Sequence, residues 1–303
     1  MSNTNSNMTE EQERELKNSV FAARQAAEGG LPVVQGLEVQ SMQQAAQNNL
    51  GFSLPTAIVP LPSRGLVYPD GPLHMAESID IRAMTAREED ILMNRSLVRK
   101  GTVISELIKS CLVNKDIDVN SLISGDRNAL MIAVRITGYG SDYSPKVTCP
   151  SCESQQDFSI KLEDLPVKEL DLNKLHQVGT CQNAFEVSLP RSKKTVVFRF
   201  LTGKEEEKIL QDLEAKRKKG IVQENLVTTK LMNSIVSVDG NTSRGFINQF
   251  CQYMPAADSL KLRRTLDECE PGIDMTSDFL CNSCGHQEVL SIPLGVEFFW
   301  PQR

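Results

Sequence analysis

Aromatic side chains are scarce in this chain: Phe, Trp and Tyr make up 5% of the 303 residues, and there is a single Trp. Proteins that hold single-stranded nucleic acid stack its bases on aromatic side chains within a basic groove. Here the formal net charge is −6, whereas a dedicated nucleic-acid binder carries a basic face. Histidine is rarer still, with only His74, His176 and His286. The sequence contains no His-x-x-x-His pair, Gly-x-Ser-x-Gly elbow, P-loop or dinucleotide fingerprint. No catalytic constellation can be assembled from what remains, and no enzyme is expected. Long apolar runs are missing too: none reaches the roughly 18–20 residues that cross a bilayer as a helix. The opening MSNTNSNMTEEQERELKN is polar and acidic, unlike a signal or transit peptide. A cytosol-like compartment is expected, with no membrane partner. In such a compartment closely spaced cysteines serve as metal ligands or redox groups rather than as structural disulfides.

What is present is a sentence written twice. VTCPSCESQQDFSIKL, residues 147–162, returns 132 positions later as FLCNSCGHQEVLSIPL, residues 279–294. Cys149, Ser151, Cys152, Gln155, Ser159, Ile160 and Leu162 match Cys281, Ser283, Cys284, Gln287, Ser291, Ile292 and Leu294. A Cys-x-x-Cys turn points two sulfurs at one ion, which is half of the tetrahedral shell that structural zinc requires. Cys149, Cys152, Cys281 and Cys284 together complete one structural zinc site. Each pair precedes an alternating apolar run, FSIKL or LSIPL, so a zinc ribbon of two similar β-hairpins is expected. Pro150, Ser151, Ser283 and Gly285 suit such tight turns. Ordinary ribbons space their pairs by about 15–20 residues, whereas 128 residues intervene here. The repeat implies that this long insert leaves the ribbon and returns to it. Disulfides within the pairs would strain small rings, and thioredoxin-like chemistry needs a strand before the motif and a helix after it. An iron–sulfur centre is the other competitor. His286 is read as solvent-facing or donating to a thiolate, and Cys111, Cys181, Cys251 and Cys269 as small apolar residues.

The rest of the chain reads as α+β. Residues 1–54 form an arm with a charged helix over Thr9–Gly29 and then a Gln/Asn-rich stretch. Few large apolar groups are there to offset the entropy of ordering it, so it is expected to be flexible or to order against a partner. Residues 55–148 combine a Pro/Gly-rich extended segment, a strand in SIDIRAM and a small helical unit. In that unit Thr85 and Glu88 make a capping box opening a helix over 86–98. A second helix lies in VISELIKSCLV and a third in RNALMIAVRITG, with Asp126-Arg127 as a cap pairing its charge locally. Residues 149–165 and 279–301 are the two ribbon halves. Residues 166–278 form the insert: a hairpin in FEVSLPRSKKTVVFRF, a capping box at Thr202 and Glu205, and helices through EEEKILQDLEAKRKKG, QENLVTTKLMNSIVSV, the stretch after Ser243, and AADSLKLRRTLDEC. Near the end Phe298, Phe299 and Trp300 either staple the tail to the core or form an exposed partner-binding anchor.

LPSRGLVYPDG, then IDIRAMTAREEDIL, then SGDRNALMIAVRITGYGSDY directly before VTCPSC, together with FLCNSCG and IPLGVEFFWP, resemble the baseplate hub subunit and hub assembly proteins of T-even-like contractile-tailed bacteriophages. The resemblance spans residues 54–301 and leaves the arm uncovered. It implies a viral tail protein without catalytic activity, acting in the baseplate hub as a component or as an assembly chaperone. Its implied partners are other hub or tail proteins, with the tape-measure protein as a further one. The implied location is the virion tail baseplate or the host cytoplasm during assembly. A zinc-ribbon protein associated with nucleic acid or transcription is the competing class, disfavoured by charge and composition.

Overall fold

A computed structural model describes residues 54–178, 183–218, 226–292 and 296–300. The expected N-terminal arm up to residue 53, and Cys181, lie outside the described residues. The chain folds as α+β. An antiparallel hairpin, β1 (Thr56–Pro60) and β2 (Ser78–Arg82), comes first. Helices α1 (Ala86–Met93), α2 (Arg95–Lys100), α3 (Val103–Cys111) and the long α4 (Ser124–Tyr139) follow. Short strands β3 (Asp142–Tyr143) and β4 (Lys146–Thr148) run to the first Cys pair, and β5 (Gln155–Asp157) and β6 (Ile160–Lys161) run back. After β7 (Val167–Lys168) and β8 (His176–Gln177) comes a second hairpin, β9 (Phe185–Ser188) and β10 (Thr195–Phe198). Then follow α5 (Gly203–Lys218), α6 (Leu226–Ser234), β11 (Ile235–Val238), α7 (Arg244–Tyr253) and α8 (Ala256–Cys269). β12 (Gly272–Ile273) pairs back to β7, and β13 (Thr276–Leu280) and β14 (Gln287–Ser291) carry the second Cys pair. Among the described residues no helix is long and apolar enough to cross a membrane.

Element by element, the second half repeats the first. Each hairpin closes beyond its first strand with a leucine amide, Leu61 onto Glu77 O at 2.8 Å and Leu189 onto Lys194 O at 2.9 Å. The next loop donates an amide to a fully buried aspartate in the first turn of a later helix: Ser63 to Asp126 of α4 at 2.9 Å, and Arg191 to Asp258 of α8 at 2.7 Å. Both capping boxes form, with Glu88 and Glu205 accepting from the Thr85 and Thr202 amides at 2.9 and 3.0 Å. An arginine three residues ahead of each threonine pairs with the same glutamate, Arg82 with Glu88 at 2.7 Å and Arg199 with Glu205 at 2.5 Å. In each half a segment after the next helices adds to the hairpin, through the Ile81–Leu112 bridge and the Phe198–Ile235 pair. The Cys stretches are therefore the last parts of two similar units. One cluster of buried apolar residues, running from Ala57 to Phe299, joins those units. Gly125 sits where the halves meet, since a Cβ there would come within 1.8 Å of Pro271 O.

Several expected elements differ in outcome. The helix expected over 86–98 breaks at Asn94, whose side chain caps a new helix by accepting from the Ser96 and Leu97 amides. The last four residues of QENLVTTKLMNSIVSV are not helical: β-branched Ile235 and Val236 begin β11, an outer strand of the four-stranded sheet. Asp126 and Arg127 do not pair locally. Asp126 accepts from Ser63 and Tyr68, and Arg127 reaches Glu207 of α5 at 2.6 Å.

The Arg82–Glu88 pair has a stability consequence. Glu88 is fully buried. Hydrogen bonds from Arg82, Ser110 and Thr85 outweigh the burial that opposes ionisation and hold its carboxyl far below the usual glutamate range. A depressed folded-state pKa contributes stability above the unfolded pKa of about 4.3, and that contribution is lost as pH falls through the folded value. Glu88→Gln is expected to cost about 2–3 kcal/mol at pH 7, because it leaves Arg82 short of its charged partner. Urea unfolding at pH 7 and pH 3 checks this, and the penalty should shrink at the lower pH.

Candidate metal centre

Each Cys pair lies in a tight turn between two antiparallel strands, β4 and β5 for the first and β13 and β14 for the second. The two turns share one hydrogen-bond pattern. The Cys149 amide donates to Ser154 O and the Glu153 amide to Cys149 O, both at 2.9 Å; Cys281 to His286 O and Gly285 to Cys281 O repeat these at 2.9 Å. The residue after the second cysteine is left-handed in both, Glu153 at φ +58° and Gly285 at +70°. Gly285 takes that conformation without steric cost, while Glu153 holds it at about 1–2 kcal/mol.

The turns face each other. Cys149 Sγ lies 3.8 Å from Cys284 Sγ, and Cys152 Sγ lies 3.7 Å from Cys281 Sγ, so each pair reaches across to the other hairpin. All four sulfurs fall within 4.8 Å of one another. A tetrahedral ion with bonds of about 2.3 Å requires sulfurs about 3.8 Å apart, and these two cross-pairs match that spacing. Cys149 and Cys281 are buried while Cys152 and Cys284 are exposed, which places the cluster at the rim of the fold. Behind it Phe279 and Phe158 meet edge to face at 5.7 Å, with Val147 and Leu290 beside them. A thioredoxin-like arrangement is excluded by the turns, since neither pair begins a helix.

Two groups missed by sequence reasoning complete the site. Ser154 Oγ lies 3.0 Å from Cys152 Sγ and 3.4 Å from Cys281 Sγ. Gln156 bridges the hairpins, donating to Leu280 O at 2.9 Å and accepting from the Asn282 amide at 2.8 Å. Ser154 occupies the same place in its turn as His286, which was the signal available in the repeat. His286 itself sits 3.5 Å from the Glu288 carboxylate, outside the sulfur cluster.

The thiols share their protons unevenly. The Ser154 hydroxyl, with the Cys284 and Ser283 amides, pulls Cys281 down to about 5 against a smaller burial effect. Cys152 is also lowered, chiefly by Ser154. At Cys284 the His286 backbone pulls the thiol down, but contact with Cys152, burial, Cys281 and Cys149 outweigh it and hold it at about 11. Four sulfurs this close cannot all ionise without a cation, and a divalent ion would displace the remaining protons. The donor set is soft and tetrahedral, which suits zinc or iron. With four thiolates filling its shell, such an ion can hold the fold but has no position left for a substrate.

The tail residues behave otherwise than as an exposed anchor. Phe298 and Phe299 are buried, 1% and 0% exposed, and only Trp300 is half-buried. The two phenylalanine rings pack on Tyr143 and on each other, where apolar surface gains more than it would in water. Cys111, Cys251 and Cys269 are buried thiols, and burial pushes Cys111 up to about 12.

Fold and cluster together define a class: an α+β protein of two similar halves, whose four cysteines can hold a metal between them. The family described as T4 bacteriophage base plate protein matches residues 61–300, and the chain belongs to that family. Membership implies a place in the virion tail baseplate among other baseplate proteins. No curated protein and no solved structure matches the chain.

Proposed function

We propose that the protein is a non-enzymatic component or assembly factor of the baseplate hub, and that one structural zinc bound by Cys149, Cys152, Cys281 and Cys284 joins its two halves as a ribbon. The observation that carries the reading is the convergence of four thiols from turns 132 residues apart. A closed sulfur shell serves folding rather than catalysis, and family membership supports work done through contacts with other tail proteins. Those contacts include hub neighbours and, in assembly, the tape-measure protein, with the host cytoplasm as the site of assembly. Residues 149–165 and 279–301 act as the ribbon, flanked by the helical unit of 55–148 and the insert of 166–278.

The test has two arms. Full-length protein purified without added metal should carry one zinc per chain by elemental analysis. A content below half an equivalent, or iron in its place, would refute the zinc assignment. Phage lacking the chain should fail to complete baseplates, with the defect visible at the hub by electron microscopy; normal baseplates would refute the hub role.

A further inference from the structure

The two knuckle hairpins share a backbone, yet their outward faces differ. On the first hairpin the outward residues are Lys146, Thr148, Gln155 and Asp157, all exposed and polar, with Lys146 directly opposite Asp157. The same stations of the second hairpin carry Asp278, Leu280, Gln287 and Val289. Thr148 is replaced by Leu280, 52% exposed, and Asp157 by Val289, 60% exposed. These two side chains lie diagonally across the ribbon on the same outward face. The fold therefore does not require apolar residues there, because the first hairpin does without them. A groove of about 440 Å³ runs along this hairpin, lined by Asp278, Phe279, Leu280, Gln287, Glu288 and Val289. Its two charged groups, Asp278 and Glu288, are both acidic. Exposed apolar side chains beside two carboxylates fit a partner that presents an apolar side chain next to a lysine or arginine.

We propose that the outward face of the second knuckle hairpin, centred on Leu280 and Val289, docks a basic-apolar segment of another baseplate subunit. The proposal rests on the chain's place in the baseplate. It differs from the hub reading in naming the surface, and from the zinc reading in lying outside the sulfur cluster. The pseudo-equivalent hairpin supplies the control: Leu280→Thr installs the residue that the same backbone carries at Thr148, and Val289→Thr removes the second apolar group without placing a like charge opposite Asp278.

The double variant should keep its metal content and its unfolding transition, while infected cells carrying it yield far fewer complete tails. A photo-crosslinking residue placed at Val289 in infected cells should join a peptide of a different baseplate subunit that contains Lys or Arg beside a large apolar residue. That peptide, made synthetically, should bind the double variant roughly 10- to 100-fold more weakly than the wild type, the loss typical of a central interface anchor. Normal tail yield from a double variant that keeps its metal would overturn the proposal. So would a crosslink confined to residues 1–53 of the same chain, to a second copy of it, or to nothing. If removing the whole chain leaves baseplates intact, it is the baseplate role that fails.

Discussion

Cys149→Ser in the full-length chain is expected to abolish stoichiometric metal binding and to lower the unfolding midpoint sharply. Cys149 is fully buried and lies 3.8 Å from Cys284 on the opposite hairpin. A serine hydroxyl does not ionise near neutral pH, so one corner of the tetrahedron would be lost and three thiols left crowded around the gap. Structural zinc contributes roughly 10–16 kcal/mol of apparent binding free energy in small domains at pH 7, and that energy is available only to the folded form. Besides the sulfurs, the hairpins are joined by the two Gln156 hydrogen bonds and the Phe158–Phe279 contact. The apolar cluster behind the sulfurs is small, built on Cys149, Phe279 and Cys281 with Val147, Phe158 and Leu290, and Phe158 links it to the main core. Hydrogen exchange should therefore rise first in 146–157 and 276–291, with α4 protected longer. Cys281→Ser should match Cys149→Ser, since the two occupy the same place in the repeat. Acidification should mimic both, because protons compete with the cation for sulfur. A Cys149→Ser protein that keeps a full equivalent of metal would remove Cys149 from the ligand set.

Much of this site was legible in the sequence because it depends on local geometry written twice. A Cys-x-x-Cys turn carries its own shape, and a repeat carries the information that two such turns belong together. The capping boxes at Thr85 and Thr202 were legible for the same reason, each being contained within four residues. Their shared arginines, Arg82 and Arg199, stood three positions ahead of each threonine, but only the observed ion pairs make them part of the motif. The repeat of whole halves stayed hidden because its matching side chains are few and far apart in the chain, and several of their partners are backbone amides that different residues can supply. Asp126 and Asp258 illustrate this: one accepts from the Ser63 amide and the other from the Arg191 amide, two residues with unlike side chains. Tertiary competition hid the remainder. Asn94 could have continued a helix but satisfies two amides better as a cap. Ile235–Val238 could have extended α6 but gains a sheet neighbour in β10 instead.

Phe298→Ala is the substitution that decides how the tail works, and it is expected to cost about 3–5 kcal/mol, the range for a large buried ring removed without collapse of the site. The ring meets Tyr143 edge to face at 5.0 Å and Phe299 at 5.4 Å. Its carbonyl accepts from Arg135 Nε at 3.1 Å, and the same guanidinium donates to Gly140 O at 2.8 Å and Asp142 O at 3.2 Å. Arg135 is buried, and desolvation pulls its pKa down, so its three carbonyl partners are what make its position tolerable. The tail thus closes over the end of α4 and the start of the first knuckle hairpin, fastening both ends of the metal-bearing segment to one helix. Trp300→Ala, at a half-buried position, should cost about 1–2 kcal/mol. An exposed anchor would predict the reverse: little change in stability from Phe298→Ala, but a loss of partner binding. Urea unfolding of the two variants separates these cases. A Phe298→Ala protein as stable as the wild type would show that the tail does not hold the core.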